Sequence, residues 1–192
     1  MGIAALIVMD VQNGIVDRVA DQSDALLERT RQAVDAARAS GVPVVFVRVA
    51  FRDPAVEISS RNKAFGALGA RGGMGIDDPA TQIHPAVAPL PDEAVVVKKR
   101  VSAFAGSDLD GVLRSLGATS LVLAGIATSG VVLSTLRMAA DLDFGLTVLS
   151  DACADGDPEV HRVLLEKVFP RQADVVTTAE WIASLNIAAL PV

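Results

Sequence analysis

Three apolar runs in this chain each stop at a group able to do chemistry. Ile3 to Met9 stops at Asp10, and Ala94 to Val97 stops at Lys98. Leu121 to Ala124 feeds a turn, Gly125 to Val131, followed by a helical repeat of Val132, Thr135, Leu136 and Ala139. A carboxylate closing an apolar strand is either a general acid/base or an acceptor for backbone N–H groups. Partial burial raises its pKa and a nearby cation lowers it. Lys98 opens the triplet Lys98-Lys99-Arg100, which has the composition of a solvated patch. If Val95 and Val97 face one layer, neighbouring side chains diverge and only one lysine points into a cleft. Asp10 with Lys98 would make a carboxylate–ammonium pair that shuttles a proton and holds developing negative charge. The turn offers backbone N–H groups at a strand-to-helix junction, a site for an anion or an oxyanion. It carries no evident nucleophile, and Thr128 and Ser129 stand where a helix cap belongs, with Ser129 read as the cap. Gln12 either orients Asp10 or satisfies backbone groups.

Other reactive side chains are less well placed. His84 and His161 have no partner at metal-ligand spacing, so no zinc site is expected. Cys153 is the single cysteine, which excludes an intramolecular disulfide and fits a reducing compartment. It is expected to be a buried structural thiol. There is no GxGxxG after the first strand and no P-loop, and the glycines between Gly69 and Gly75 follow no strand. No cofactor and no metal are therefore expected.

The elements that must position these groups alternate. Strands are predicted at Ile3–Met9, Val42–Val49, Ala94–Val97, Leu121–Ala124, Gly145–Leu149 and Ala173–Val176. Helices are predicted at Ser23–Ser40, Ser107–Leu116, after the Gly125 turn, at Pro158–Phe169 and at Thr178–Leu185. Ser23 is a possible N-cap and Gly41 a C-terminal stop. The pattern implies one domain over residues 1–192, a three-layer α/β/α Rossmann-like fold with a mostly parallel six-stranded sheet. Residues 51–91 mix charge, Pro and Gly, with a short helix at Ser60–Leu68. This excursion is either a lid or subunit contact, or an exposed loop. Ligands of such sheets bind beyond the strands' C-terminal ends near a topological switch point. Asp10, Lys98 and the Gly125 turn all end strands there.

Bulk properties narrow the partners. The chain has 192 residues, about half of them apolar, and a net charge of −6. An acidic balance argues against nucleic acid or an anionic membrane as the main partner. The Ile3–Met9 run lacks a basic flank and ends at Asp10, so it reads as a strand and not a signal peptide. No uninterrupted apolar stretch is long enough to span a membrane. A cytoplasmic protein acting on a small-molecule substrate is expected.

Three stretches carry a resemblance: LIVMDVQNGI at Leu6–Ile15, VVVKKRVSAF at Val95–Phe104 and LVLAGIATSGVVLSTLRMAAD at Leu121–Asp141, with SDACAD at Ser150–Asp155 adding support. In order and spacing the chain resembles the isochorismatase-like hydrolase superfamily from Ile3 to about Leu185. In its cysteine hydrolases an Asp, a Lys and a Cys form the triad. The resemblance places the Asp at Asp10 and the Lys at Lys98, while the Cys position, six residues past the turn glycine, holds Val131. It also implies a cis peptide between Ile126 and Ala127, and an oxyanion hole from the Ala127 and Val131 N–H groups. Ala127 and Val131 are the substrate contacts the resemblance implies, and Gln12, two residues after Asp10, is expected beside them.

A thiol at a helix N-terminus is acidified and nucleophilic; an isopropyl group is neither. The thioester route of nicotinamidases and N-carbamoylsarcosine amidases therefore lacks its nucleophile. The Asp and His that bind metal after strand two in nicotinamidases are absent, since Arg48–Arg52 reads RVAFR. True isochorismatases carry Gly at the Cys position and use the Asp to protonate an enol-ether carbon. Here Val131 is bulkier, and the polar residue expected near Val49 is missing. The expectation is a hydrolase using Asp10, Lys98 and water, assembled as a homo-oligomer (dimer or tetramer). The alternative is a binding or regulatory protein that kept the fold without turnover.

Overall fold

β1 (Ile3–Met9) divides the core between its two faces. Ala5, Ile7 and Met9 pack to one side, Leu6 and Val8 to the other, and all five are buried. A strand with apolar residues at both phases of its alternation needs cover on both faces. The computed structural model describes residues 2–52 and 55–188. Residues 1 and 189–192 of the expected domain, and residues 53–54 of the expected excursion, lie outside the described residues.

β2 (Val44–Val49), β3 (Ala94–Lys98), β4 (Ala118–Ile126), β5 (Gly145–Ala154) and β6 (Asp174–Val176) complete a six-stranded sheet in the order β3-β2-β1-β4-β5-β6. Every pairing is parallel. The chain runs outward from β1 through β2 to β3, then returns to β4 on the other side of β1. The β1/β4 boundary is thus the switch point, where a crevice opens beyond the strand ends.

A short helix, α1 (Asn13–Val16), and a 3-10 turn (Asp17–Gln22) lead into α2 (Ser23–Ala39). α2 buries Leu26, Thr30, Ala33, Val34 and Ala37, a stripe at helical spacing, against the Leu6/Val8 face. Gly41 closes it at φ +67, with the Val42 N–H donating to Ala37 O at 2.9 Å. α7 (Thr178–Ala188) covers the same face through Trp181. On the opposite face lie α4 (Leu109–Leu116), through Leu109 and Leu113, and α5 (Leu133–Asp141), through Leu136 and Ala139. α6 (Pro158–Val163) and the π turn after it bring Leu164 to that face. Burying each Val, Leu or Ile stabilises the fold by about 1.5–3 kcal/mol.

Several expectations are corrected. α2 is not capped by Ser23: Gln22 is the N-cap residue, and Ser23 Oγ donates to Ala20 O inside the preceding turn. β4 begins earlier and β5 ends later than their apolar runs, because β4 pairs with β1 from Ala118 onward, and β5 resumes pairing with β4 at Cys153–Ala154 after an irregularity that takes in Ser150 and Asp151. The expected helix from Pro158 to Phe169 is α6, then a π turn (Leu164–Val168) and a 3-10 turn (Phe169–Arg171). In the excursion, α3 (Lys63–Arg71) starts at Asn62, whose side chain accepts from Phe65 N. Its Phe65 joins Val49 and Phe51 in a small cluster of their own.

Candidate active site

Asp10 leaves the sheet where the β1 ladder ends. Its N–H makes a last bond to Val47 O at 2.8 Å, and its backbone turns to φ +55, a left-handed conformation Asp tolerates better than most residues. The side chain is buried and meets Lys98, which arrives from the end of β3: Asp10 Oδ2 lies 2.8 Å from Lys98 Nζ. The ammonium donates its two other N–H bonds to Arg100 O and Val101 O, each at 3.0 Å. Lys98 is thereby saturated. Asp10 is not, because Oδ1 is buried without a partner. Burial pushes the Asp10 carboxyl up to about 6, against the lowering pull of Lys98. Lys99 points elsewhere, donating to Ala50 O, so only one lysine of the triplet enters the site.

The turn after β4 faces this pair. Gly125 at its start takes φ +145 and passes so close to β1 that a Cβ would collide with Met9 O. The Ile126–Ala127 peptide is cis, as the resemblance implies. Thr128–Val132 form a π turn that runs into α5. Ser129 does not act as a cap through its side chain; its N–H donates to Asp155 Oδ2 at 2.7 Å. The Gly130 and Val132 N–H groups donate to Ala127 O, and Thr128 Oγ1 is hydrogen-bonded to His161 Nδ1 at 2.8 Å. The turn is thus held from outside by Asp155 at the end of β5 and His161 on α6. Burial lowers the pKa of His161, which favours the neutral ring.

Asp10, Lys98, Ala127 and Val131 line one cavity of about 310 Å³. Its other walls are mostly apolar: Val49, Val101 and Ile126 from the sheet side, Ile15 and Val19 from the segment after β1, and Phe65 and Met74 from the excursion. The excursion therefore builds part of the cavity wall. Gln12 is not brought into this cavity. Its amide donates to Val49 O at 3.0 Å and Thr81 O at 2.7 Å and accepts from Val49 N at 2.8 Å. Of the two roles open to it, the side chain takes the backbone one. Cys153 is buried in β5, its thiol pushed up to about 12 by desolvation. His84 Nδ1 accepts from Ala86 N, away from His161. Among the described residues no three His, Cys, Asp or Glu side chains gather as metal ligands would. No helix among them is long and apolar enough to cross a membrane.

Sequence reasoning missed Arg18, Phe65 and Met74 on the cavity wall, and the roles of Asp155 and His161 behind the turn. Asp155 had a signal, the SDACAD stretch closing a strand. Arg18 and Met74 had none, since they lie outside the predicted elements, and Phe65, inside the predicted Ser60–Leu68 helix, had nothing to set it apart from a core residue.

A buried carboxylate–ammonium pair and a strand-to-helix turn meet beyond the strand ends of a parallel, Rossmann-like α/β sheet. The family model for the isochorismatase domain matches residues 4–180, and the chain belongs to the isochorismatase family. It is 34% identical over 184 residues to the isochorismatase family protein YwoC of Bacillus subtilis (strain 168), covering 95% of this chain and 94% of that one. It is 30% identical over 214 residues to the ureidoacrylate amidohydrolase RutB of Stutzerimonas stutzeri (strain A1501), covering 95% of this chain and 79% of that protein. Among solved structures, an isochorismatase family protein from Burkholderia thailandensis superposes with a TM-score of 0.82 at 31% identity, over 95% of each chain.

Proposed function

We propose that this protein hydrolyses a small molecule with water as the nucleophile, Asp10 as general acid/base and Lys98 as its electrostatic partner. The observation that carries the reading is the buried, unpartnered Oδ1 of Asp10, a residue that lines the cavity beside a lysine with no donor left to give. A carboxylate titrating at about 6 is poised to accept and return a proton near neutral pH. With a carbonyl substrate such as an amide or ureide, Oδ1 takes a proton from water as the water oxygen bonds to the carbonyl carbon. The Ala127 and Val131 N–H groups are the donors for the oxyanion. The C–N bond then breaks as Asp10 returns its proton to the leaving nitrogen. Lys98 stays an ammonium throughout and stabilises the ionised carboxylate. The amidohydrolase named among the relatives supports this substrate class.

The test is a screen of the purified protein against amides, ureides and enol ethers, with Asp10→Asn beside it. Turnover that Asp10→Asn abolishes supports the reading; turnover that it leaves intact removes Asp10 from the mechanism. One observation favours a second reading. Val131, buried at 2% exposure in the cavity wall, stands at the position the resemblance gives to a nucleophile, and its isopropyl group is inert. On that reading the protein binds a small molecule and does not turn it over, and ligands from the same screen stabilise it without being consumed.

A further inference from the structure

The cavity wall holds two cations, and they are not equivalent. Lys98 has given its three N–H bonds to Asp10 and to the carbonyls of Arg100 and Val101. It has no donor left for a ligand. Arg18, on the 3-10 turn after α1, has no ion pair and no side-chain hydrogen bond among the described residues, although Asp17 and Asp21 share that turn. It also stands in the wall of a second, smaller cavity of about 160 Å³, beside Gly72, Gly73 and Thr81. The two cavities share Ile15, Arg18 and Met74, so Arg18 sits where they meet.

We propose that Arg18 selects substrates that carry a carboxylate, holding it where the two cavities meet so that the neutral, hydrolysable end lies at Asp10. The inference rests on the hydrolase reading for what happens at Asp10. Its physical basis is the polarity of the cavity. A carboxylate placed at the Asp10 end meets a like charge between apolar walls, with the neighbouring ammonium already saturated. Turned the other way, it meets a planar guanidinium able to donate parallel hydrogen bonds to both its oxygens. Only one orientation is favourable, so the same contact that binds the acid also sets which end reaches the Ala127–Val131 turn. The main cavity is at the small end of ligand pockets, which suits a compact acid. The chain as a whole is acidic at −6, so attraction of an anion has to come from a local cation.

Binding separates this inference from the hydrolase reading. Affinities are measured by calorimetry for three acids and their matched primary amides: N-carbamoylglycine, benzoate and crotonate. At least one acid is expected to bind at least tenfold more tightly than its amide. Arg18→Gln, a change on an exposed turn, should bring that ratio to within twofold while leaving the amide's affinity unchanged. Asp10→Asn should retain the preference. Acids that bind no better than their amides, or a preference that survives Arg18→Gln, overturn the proposal. An Arg18-dependent preference without any turnover upholds it while the hydrolase reading fails. Asp10-dependent turnover without such a preference sinks this inference alone.

Discussion

Gln12 and Val49 are joined twice, Val49 N–H donating to Gln12 Oε1 at 2.8 Å and Gln12 Nε2 donating to Val49 O at 3.0 Å. A side-chain amide here does what the next residue of β1 would do had the strand continued. Asp10 at φ +55 turns the backbone away, and Gln12 finishes the ladder of β2 in its place. Its third bond, to Thr81 O, ties the far end of the excursion to the same point. Gln12→Met keeps the side chain's length and leaves these buried backbone groups unpaired. A loss of about 3 kcal/mol is expected, seen as a lower urea midpoint with an unchanged slope. A variant as stable as the parent would show that water or the backbone replaces the amide.

Lys98→Met removes the cation and leaves Asp10 buried alone. Breaking a buried pair in this way costs about 3–5 kcal/mol. The cost depends on pH. Asp10 already titrates above its ordinary value, and loss of the Lys98 attraction raises it further. A carboxyl raised in the folded state stabilises fully below its unfolded pKa, and that contribution is lost as pH rises through the folded one. The variant should therefore lose most stability at pH 8 and markedly less at pH 5, measured by urea unfolding at both. An equal loss at the two pH values would mean that packing, not charge, is what Lys98 supplies.

A general base must be ionised to act. With Asp10 at about 6, kcat/KM for a hydrolysable amide or ureide should rise through pH 6 and level off near 7. Asp10→Asn should lower kcat about 10²–10⁴-fold and flatten that limb. Activity that falls across pH 6 instead would assign Asp10 as the acid that protonates substrate.

Val131 occupies the N-terminal turn of a helix, with Lys98 in the same cavity. Val131→Cys should place an acidified thiol there. Iodoacetamide at pH 7 followed by peptide mapping should label position 131 within minutes. Cys153, buried with its thiol held up to about 12, should stay unmodified in the native protein. No label at 131 above that at Cys153 would mean that the register of the turn differs from the one assigned.

The sheet was legible because its inner strands are covered on both faces, so β1 is an unbroken apolar run and β2 is apolar but for Arg48, while the edge strand β3 is apolar up to Lys98. Asp10 and Lys98 stood out as charges ending such runs, and the Gly125 turn as a break before a helical repeat. What was not legible depends on distant partners. Ser129 has the composition of a cap, yet Asp155 arrives from β5 to take its N–H. Gln12 finds its acceptors 37 and 69 residues away, which no local pattern reports. Arg18 reads as an ordinary surface residue, and only the fold places it over the cavity.

The absence of a thiolate from the cavity has a consequence for durability. Enzymes that depend on a low-pKa cysteine lose activity when peroxide drives the sulfur through sulfenic to sulfinic acid. Here Val131, not a cysteine, lines the cavity, and the one cysteine is a buried, protonated thiol. Thiol-directed oxidants and heavy metals have no catalytic sulfur to attack. Any turnover at the site should survive peroxide treatment that silences an enzyme dependent on a reactive cysteine.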